Sequence, residues 1–210
     1  IDKTAGIQKD TTVTATAQKK TTAETVEANG GIEGKDLAAW VGDTLDSDFW
    51  KKGVVAKSTI TDNAKKAAVE AAIQAAKKVE DITDPKRTTA NEVLNPTDGT
   101  LKITFADDSS LTVTQKLYVY KNGSTNPTNP DQPKPSDSVV VTYKAGEGVQ
   151  NFADKEVLVK KGTLETALPE KPNATVNTTA GYKGDVIWTA APAIDKTAGI
   201  QKDTTVTATA

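Results

Sequence analysis

Residues 1–17 read IDKTAGIQKDTTVTATA, and residues 194–210 read the same string without one substitution. The offset between the copies, from position 1 to position 194, is 193 residues, so Gln18 to Ala210 is one full period. Chance does not produce such a match. The second copy also continues a strand-like pattern from Trp188, so we read the chain as part of a tandem array of near-identical units. The opening Ile leads us to expect a segment cut from something longer. Periods of about 20–50 residues must stack as solenoids because one unit cannot bury a core. A unit of this length can fold alone, so the array reads as beads on a string.

Composition removes most chemistry. The 210 residues contain no Cys, Met or His, which takes away thiolate nucleophiles, the usual zinc ligands and the side chain that titrates near neutrality. Net charge is −2, with 26 basic residues against 28 acidic ones; that balance argues against nucleic acid or a basic membrane surface as partner. No apolar run approaches the roughly 20 residues of a membrane span, and no signal-like segment opens the chain. No P-loop, dinucleotide fingerprint or nucleophile elbow is present. We expect no enzyme, no cofactor and no catalytic or metal-ligating residue, since exact repetition of an active site would be an odd design.

The unit divides by composition. Ser124 to Asp137 reads STNPTNPDQPKPSD, and its four prolines favour polyproline II, so 124–137 is expected to be a semi-rigid spacer that could reach about 40 Å if fully extended. Ahead of it, 18–123 reads as a mixed domain. Thr61 or Asp62 can cap a helix whose apolar face is Val69, Ile73, Ala76 and Val79, favoured by its alanines. Leu37, Trp40, Leu45, Phe49 and Trp50 lack periodicity and suggest short helical turns that close the core. Leu101–Phe105 and Leu111–Tyr120 alternate around Ala106–Ser110, the pattern of a hairpin. Beyond the spacer, 138–210 reads as mostly β, with strands at Val139–Tyr143, Glu156–Lys160, Asp185–Thr189 and Thr204–Ala210, and a short helical crossover at Thr163–Leu168 that Pro169 ends. The fold class is thus α+β, a helix-plus-hairpin domain followed by a smaller β domain, with 1–17 the closing strand segment of a preceding unit. The strand at Thr11–Ala17 should pack against the first domain or replace the closing strand of a neighbour.

The second domain resembles the small β-grasp-like repeats of Gram-positive cell-surface proteins, the class that includes internalin B-type repeats. The matching pieces are V-V-V-T-Y at 139–143, V-K-K-G-T-L at 159–164, G-Y at 181–182, Trp188 and I-Q-K-D-T-T-V-T-A from Ile200. The end of the first domain, L-K-I-T-F-A-D-D-S-S-L-T-V-T at 101–114, is similar to the hairpin closing the Rib and alpha-like repeats of streptococcal surface proteins. These resemblances imply a secreted, cell-wall-anchored adhesin whose repeats form a stalk, with neighbouring repeats as partners, or an adhesive surface for a host protein or glycan. The absence of Cys agrees with such a setting, though it also suits a reducing cytosol.

Several constellations have a bland reading beside a functional one. Asp43, Asp46 and Asp48 crowd carboxylates as calcium loops do, but lack the EF-hand Gly and terminal Glu, so a capped acidic turn is expected. Trp40, Trp50 and Trp188 are expected to be core anchors rather than sugar platforms. Asn122, Asn173 and Asn177 open glycosylation sequons, which arise easily in a Thr-rich chain. A stabilising Lys–Asn or Lys–Asp isopeptide bond would need a carboxylic acid beside it in an apolar site, and the many lysines leave its place open.

Overall fold

The computed structural model describes Thr14 and residues 16–210. The strand expected at Thr11–Ala17 falls mainly on residues outside those described. The fold is α+β and made of small domains, with mixed sheets and few helices.

The first domain opens with α1 (Thr22–Ala28), started by a capping box in which Thr21 and Glu24 satisfy each other's backbone N–H groups. The strands β1 (Ile32–Gly34) and β3 (Val54–Ala56) form a two-stranded antiparallel sheet. Between them run β2 (Leu37–Trp40) and the single turn α2 (Ser47–Lys51), which Asp46 caps. The helix α3 (Asn63–Gln74) follows, its cap Asp62 accepting from the N–H groups of Ala64 and Lys65. Then come β4 (Lys78–Asp81), β5 (Asp98–Thr104) and β6 (Ser110–Tyr120), giving a four-stranded sheet of order β2-β6-β5-β4 with β2 parallel to β6. The hairpin turns where the sequence says it should. Asp108 adopts φ 64°, a conformation that Asp tolerates better than most residues.

Two expectations for this domain need correction. Val79 does not extend the face of α3: the helix ends at Gln74, and Val79 lies in β4 opposite Ile103. The Lys51 ammonium donates to the carbonyls of Gln74 and Ala76, and the Ser47 hydroxyl accepts from the Val79 N–H, so tertiary partners outweigh alanine's helix propensity. Leu37 to Trp40 is not a helical turn but a strand, fixed by parallel pairing to Leu117–Tyr120. Only Ser47–Lys51 is helical there.

The second domain holds β7 (Ser138–Ala145), β8 (Lys155–Lys160), β9 (Ile187–Ala191) and β10 (Thr204–Thr209). Their order is β8-β7-β10-β9, with the two central strands parallel and both outer strands antiparallel to them. That is the strand order of a β-grasp. The connection that usually carries a helix has only two short 3-10 turns, Glu165–Ala167 and Thr178–Ala180. Val139, Val141, Tyr143, Val157, Val159, Ile200 and Val206 form its core. In β10, Val206 and Ala208 point inward while Thr205 and Thr207 are half exposed, the alternation expected of a sheet with one solvated face.

Candidate functional site: the joint between the two domains

Where the two domains meet, two cross-strand couples face each other. Trp40 pairs with Tyr120 at the ends of β2 and β6, and Val140 pairs with Leu158 on β7 and β8. Side chains alternate along a strand, so Val140 and Leu158 project from the sheet face opposite Val139, Val141 and Val157. Trp40, Tyr120 and Leu158 form a cluster of their own, 3%, 0% and 0% exposed, with Ala38, Leu94, Tyr118 and Val140 against it. Each fully buried large side chain there is worth about 1.5–3 kcal/mol relative to exposure.

Polar contacts fix the register of this contact. The Trp40 indole N–H donates to an Asp137 carboxylate oxygen at 2.7 Å. The Tyr120 hydroxyl donates to the Pro133 carbonyl at 2.9 Å and accepts from the Gln132 side-chain amide at 2.8 Å. Burial pushes the Tyr120 phenol up from its ordinary value, against a partly opposing pull from Gln132. At the rim, the Lys160 ammonium lies 3.1 Å from Asp43 and 3.7 Å from Asp137. These charges are half exposed and add little energy, but they bridge the domains.

The proline-rich segment is part of this joint. Its start lies along the outer edge of β8: Gly123 N–H donates to the Leu158 carbonyl, Leu158 N–H to the Ser124 carbonyl, and Asn126 N–H to the Glu156 carbonyl. Ser124 is buried, its hydroxyl bonded to Glu92 and to the Lys121 carbonyl. Pro135 is buried too. The segment therefore folds back on both domains instead of standing off as an extended spacer. Proline suits this place because its missing N–H needs no partner when the ring is buried.

The singled-out residues take structural roles. Trp40 and Trp50 are 3% and 4% exposed, and Trp188 packs edge-on to Tyr143 with ring centroids 5.8 Å apart. Asp43 accepts from the Trp40 N–H and Asp46 caps α2, so these carboxylates turn to different partners. Asn122 bonds the Lys160 N–H and Asn177 caps the second 3-10 turn, while Asn173 is exposed. Lys134, Asn126 and Glu156 form a chain, with the ammonium 3.1 Å from the amide oxygen and the amide nitrogen 2.8 Å from the carboxylate. Lys134 and Glu156 are exposed and Asn126 is half-buried, so the apolar enclosure that isopeptide chemistry needs is missing around it.

Sequence reasoning missed a second buried network. Asp81, 5% exposed, takes a two-pronged contact from the Arg87 guanidinium at 3.0 and 3.1 Å and further bonds from Thr83. Burial raises the Asp81 carboxyl, and the Arg87 and Thr83 hydrogen bonds more than reverse that, leaving it below its ordinary value. Arg87 also covers the Trp50 ring at 4.8 Å from its centroid and donates to the Gln115 carbonyl. The available signal was that Arg87 is the single arginine among 26 basic residues; only a planar fork can make such contacts. Compared with known families and with curated proteins, the chain matches no family model and no curated sequence.

Proposed function

We propose that this chain is a structural unit of a tandem-repeat stalk on a bacterial cell surface, anchored to the cell wall and holding a distal binding domain away from it. The packed joint is the observation that carries this reading, because a stalk needs units whose domains do not hinge freely. The path of the chain supports it. The chain reaches α1 beside the hairpin turn, where Thr22 N–H donates to Asp107 and Ala23 N–H to Ser109. The joint lies at the other end of β6, ten residues on, about 33 Å at 3.3 Å per residue. In the second domain β10 runs parallel to β7, away from the level of Val140, and ends beyond Ala145.

The surface favours a stalk over an adhesive module. Among the described residues the exposed large apolar side chains are Val41, Ile82, Leu164 and Ile187, single residues on four different segments, whereas docking surfaces carry contiguous apolar patches. Small-angle scattering of chains with one, two and three units tests the proposal. A maximum dimension growing nearly in proportion to copy number is the expected result. Growth nearer a square root would refute the stalk and turn attention to binding of a host protein or glycan by each unit, with avidity from repetition.

A further inference from the structure

We propose that the trailing end of each unit docks on the leading end of the next, so that a second copy of this unit is the partner of both ends. This deepens the stalk reading and rests on the tandem repeat. Ala17 and Ala210 hold the same place in the repeated string. After Ala17 only Gln18, Lys19 and Lys20 precede Thr21, which is already the cap of α1. Four Cα steps at about 3.5 Å give a tether of at most about 14 Å.

Both anchor points are held. At the trailing end Ala210 N–H donates to the Glu147 carbonyl at 3.0 Å. Beside it Gly148 adopts φ +82°, and a Cβ there would lie 2.2 Å from the Ala210 carbonyl oxygen. At the leading end Thr21 and Glu24 close the capping box, and Thr22 and Ala23 are tied to Asp107 and Ser109. A tether this short keeps the Glu147–Gly148 loop of one unit, with Tyr182 beside it, within about 14 Å of the Thr21 cap of the next. In the docked junction these two surfaces pack on each other.

Charge suits the contact. Glu147 is exposed and accepts from the Tyr182 hydroxyl at 3.1 Å, while Lys19 and Lys20, carried by the tether itself, are exposed. The geometry assigns Glu147 as the partner of Lys19 or Lys20 across the junction.

The test uses the full chain extended by a second copy of residues 18–210. Because the chain has no Cys, spin labels can be placed through Lys161→Cys in the first unit and Glu70→Cys in the second, and the distance distribution read by pulsed EPR. A control carries six Gly/Ser residues between Ala210 and the following Gln18, a segment with a root-mean-square span of about 13 Å. Docking predicts one narrow peak, at least about twofold narrower than the control's, and broadening toward the control when Glu147 of the first unit becomes Lys. Equal widths would overturn docking. If scattering dimensions still rise in proportion to copy number, the stalk stands and only the docked junction falls; if they do not, both fall. Dimers of the 210-residue chain that vanish when residues 1–17 are removed would point to strand exchange and also count against docking.

Discussion

Replacing Tyr120 by Phe isolates what the joint owes to its polar contacts. The ring stays, so apolar burial is nearly unchanged. What goes is one oxygen that donates to Pro133 and accepts from Gln132, at 2.9 and 2.8 Å. Each bond is worth about 1 kcal/mol net, and the half-buried groups left unpaired add to the loss, so a total of about 2 kcal/mol is expected. Full truncation to Ala would cost about 3–5 kcal/mol through the cavity. Urea unfolding followed by tryptophan emission should show a lower midpoint with an unchanged slope. Proteolysis between Asn126 and Ser136 should accelerate, because the lost bonds are the ones that hold Gln132 and Pro133. The alkaline limb gives a second readout. Burial raises the folded phenol above its ordinary value of 10, so its stability contribution is complete below that pH and is lost as pH rises through the folded value. The variant should lose less stability above about pH 10 than the parent does. A midpoint shift worth under about 0.5 kcal/mol, with the proline-rich segment still protected, would refute the claim that these bonds pin the segment to the joint.

Asp81→Asn should cost about 3 kcal/mol at neutral pH, because it leaves Arg87 buried beside a neutral amide. The Asp81 pKa lies below its unfolded value of 3.8, so the pair's contribution is present above about pH 4 and lost as pH falls through the folded value; acid titrations of parent and variant should therefore converge. Gly148→Ala should destabilise the second domain by about 1–3 kcal/mol, since φ +82° and the nearby Ala210 carbonyl both oppose a side chain; thermal unfolding of the variant measures it. Gln115→Met should stabilise the first domain by about 1–2 kcal/mol, because the buried amide oxygen and nitrogen of Gln115 have no hydrogen-bond partner among the described residues. A loss of stability in that variant would show that the amide is satisfied in solution.

How much of this was legible follows from how local each signal is. The hairpin at 101–120, the Asp62 cap and the alternation of Val139, Val141 and Tyr143 are written in neighbouring residues, and each forms where expected. What escaped depends on partners far along the chain. Trp40 becomes a strand end because Tyr120 is beside it, and Val79 leaves the helical pattern because β5 offers a ladder. The joint was the least legible part. Its residues come from β2, β6, β7, β8 and the proline-rich segment, and no stretch of sequence says that Val140 and Leu158 face another domain. Those two apolar residues sit on strand faces that a lone small domain would turn to water, and that was the signal. Val-Val-Val at 139–141 is apolar on both faces, and so is Val-Leu-Val at 157–159, as expected of strands covered on both sides.

That double coverage bears on the stability of the second domain. The second domain has about 73 residues and a core of seven buried apolar side chains, a size at which folding alone is marginal. Covering its other face with Trp40 and Tyr120 adds apolar burial that the domain cannot obtain by itself. Bonding the outer edge of β8 to Gly123, Ser124 and Asn126 also removes one of the two open strand edges. The same contacts that fasten the joint thus stabilise the smaller domain. Bending the unit at the joint would uncover Leu158 and break the rung on β8, so hinging and unfolding of the second domain are opposed by one set of interactions. A free spacer would have separated the two properties; folding the proline-rich segment into the interface couples them.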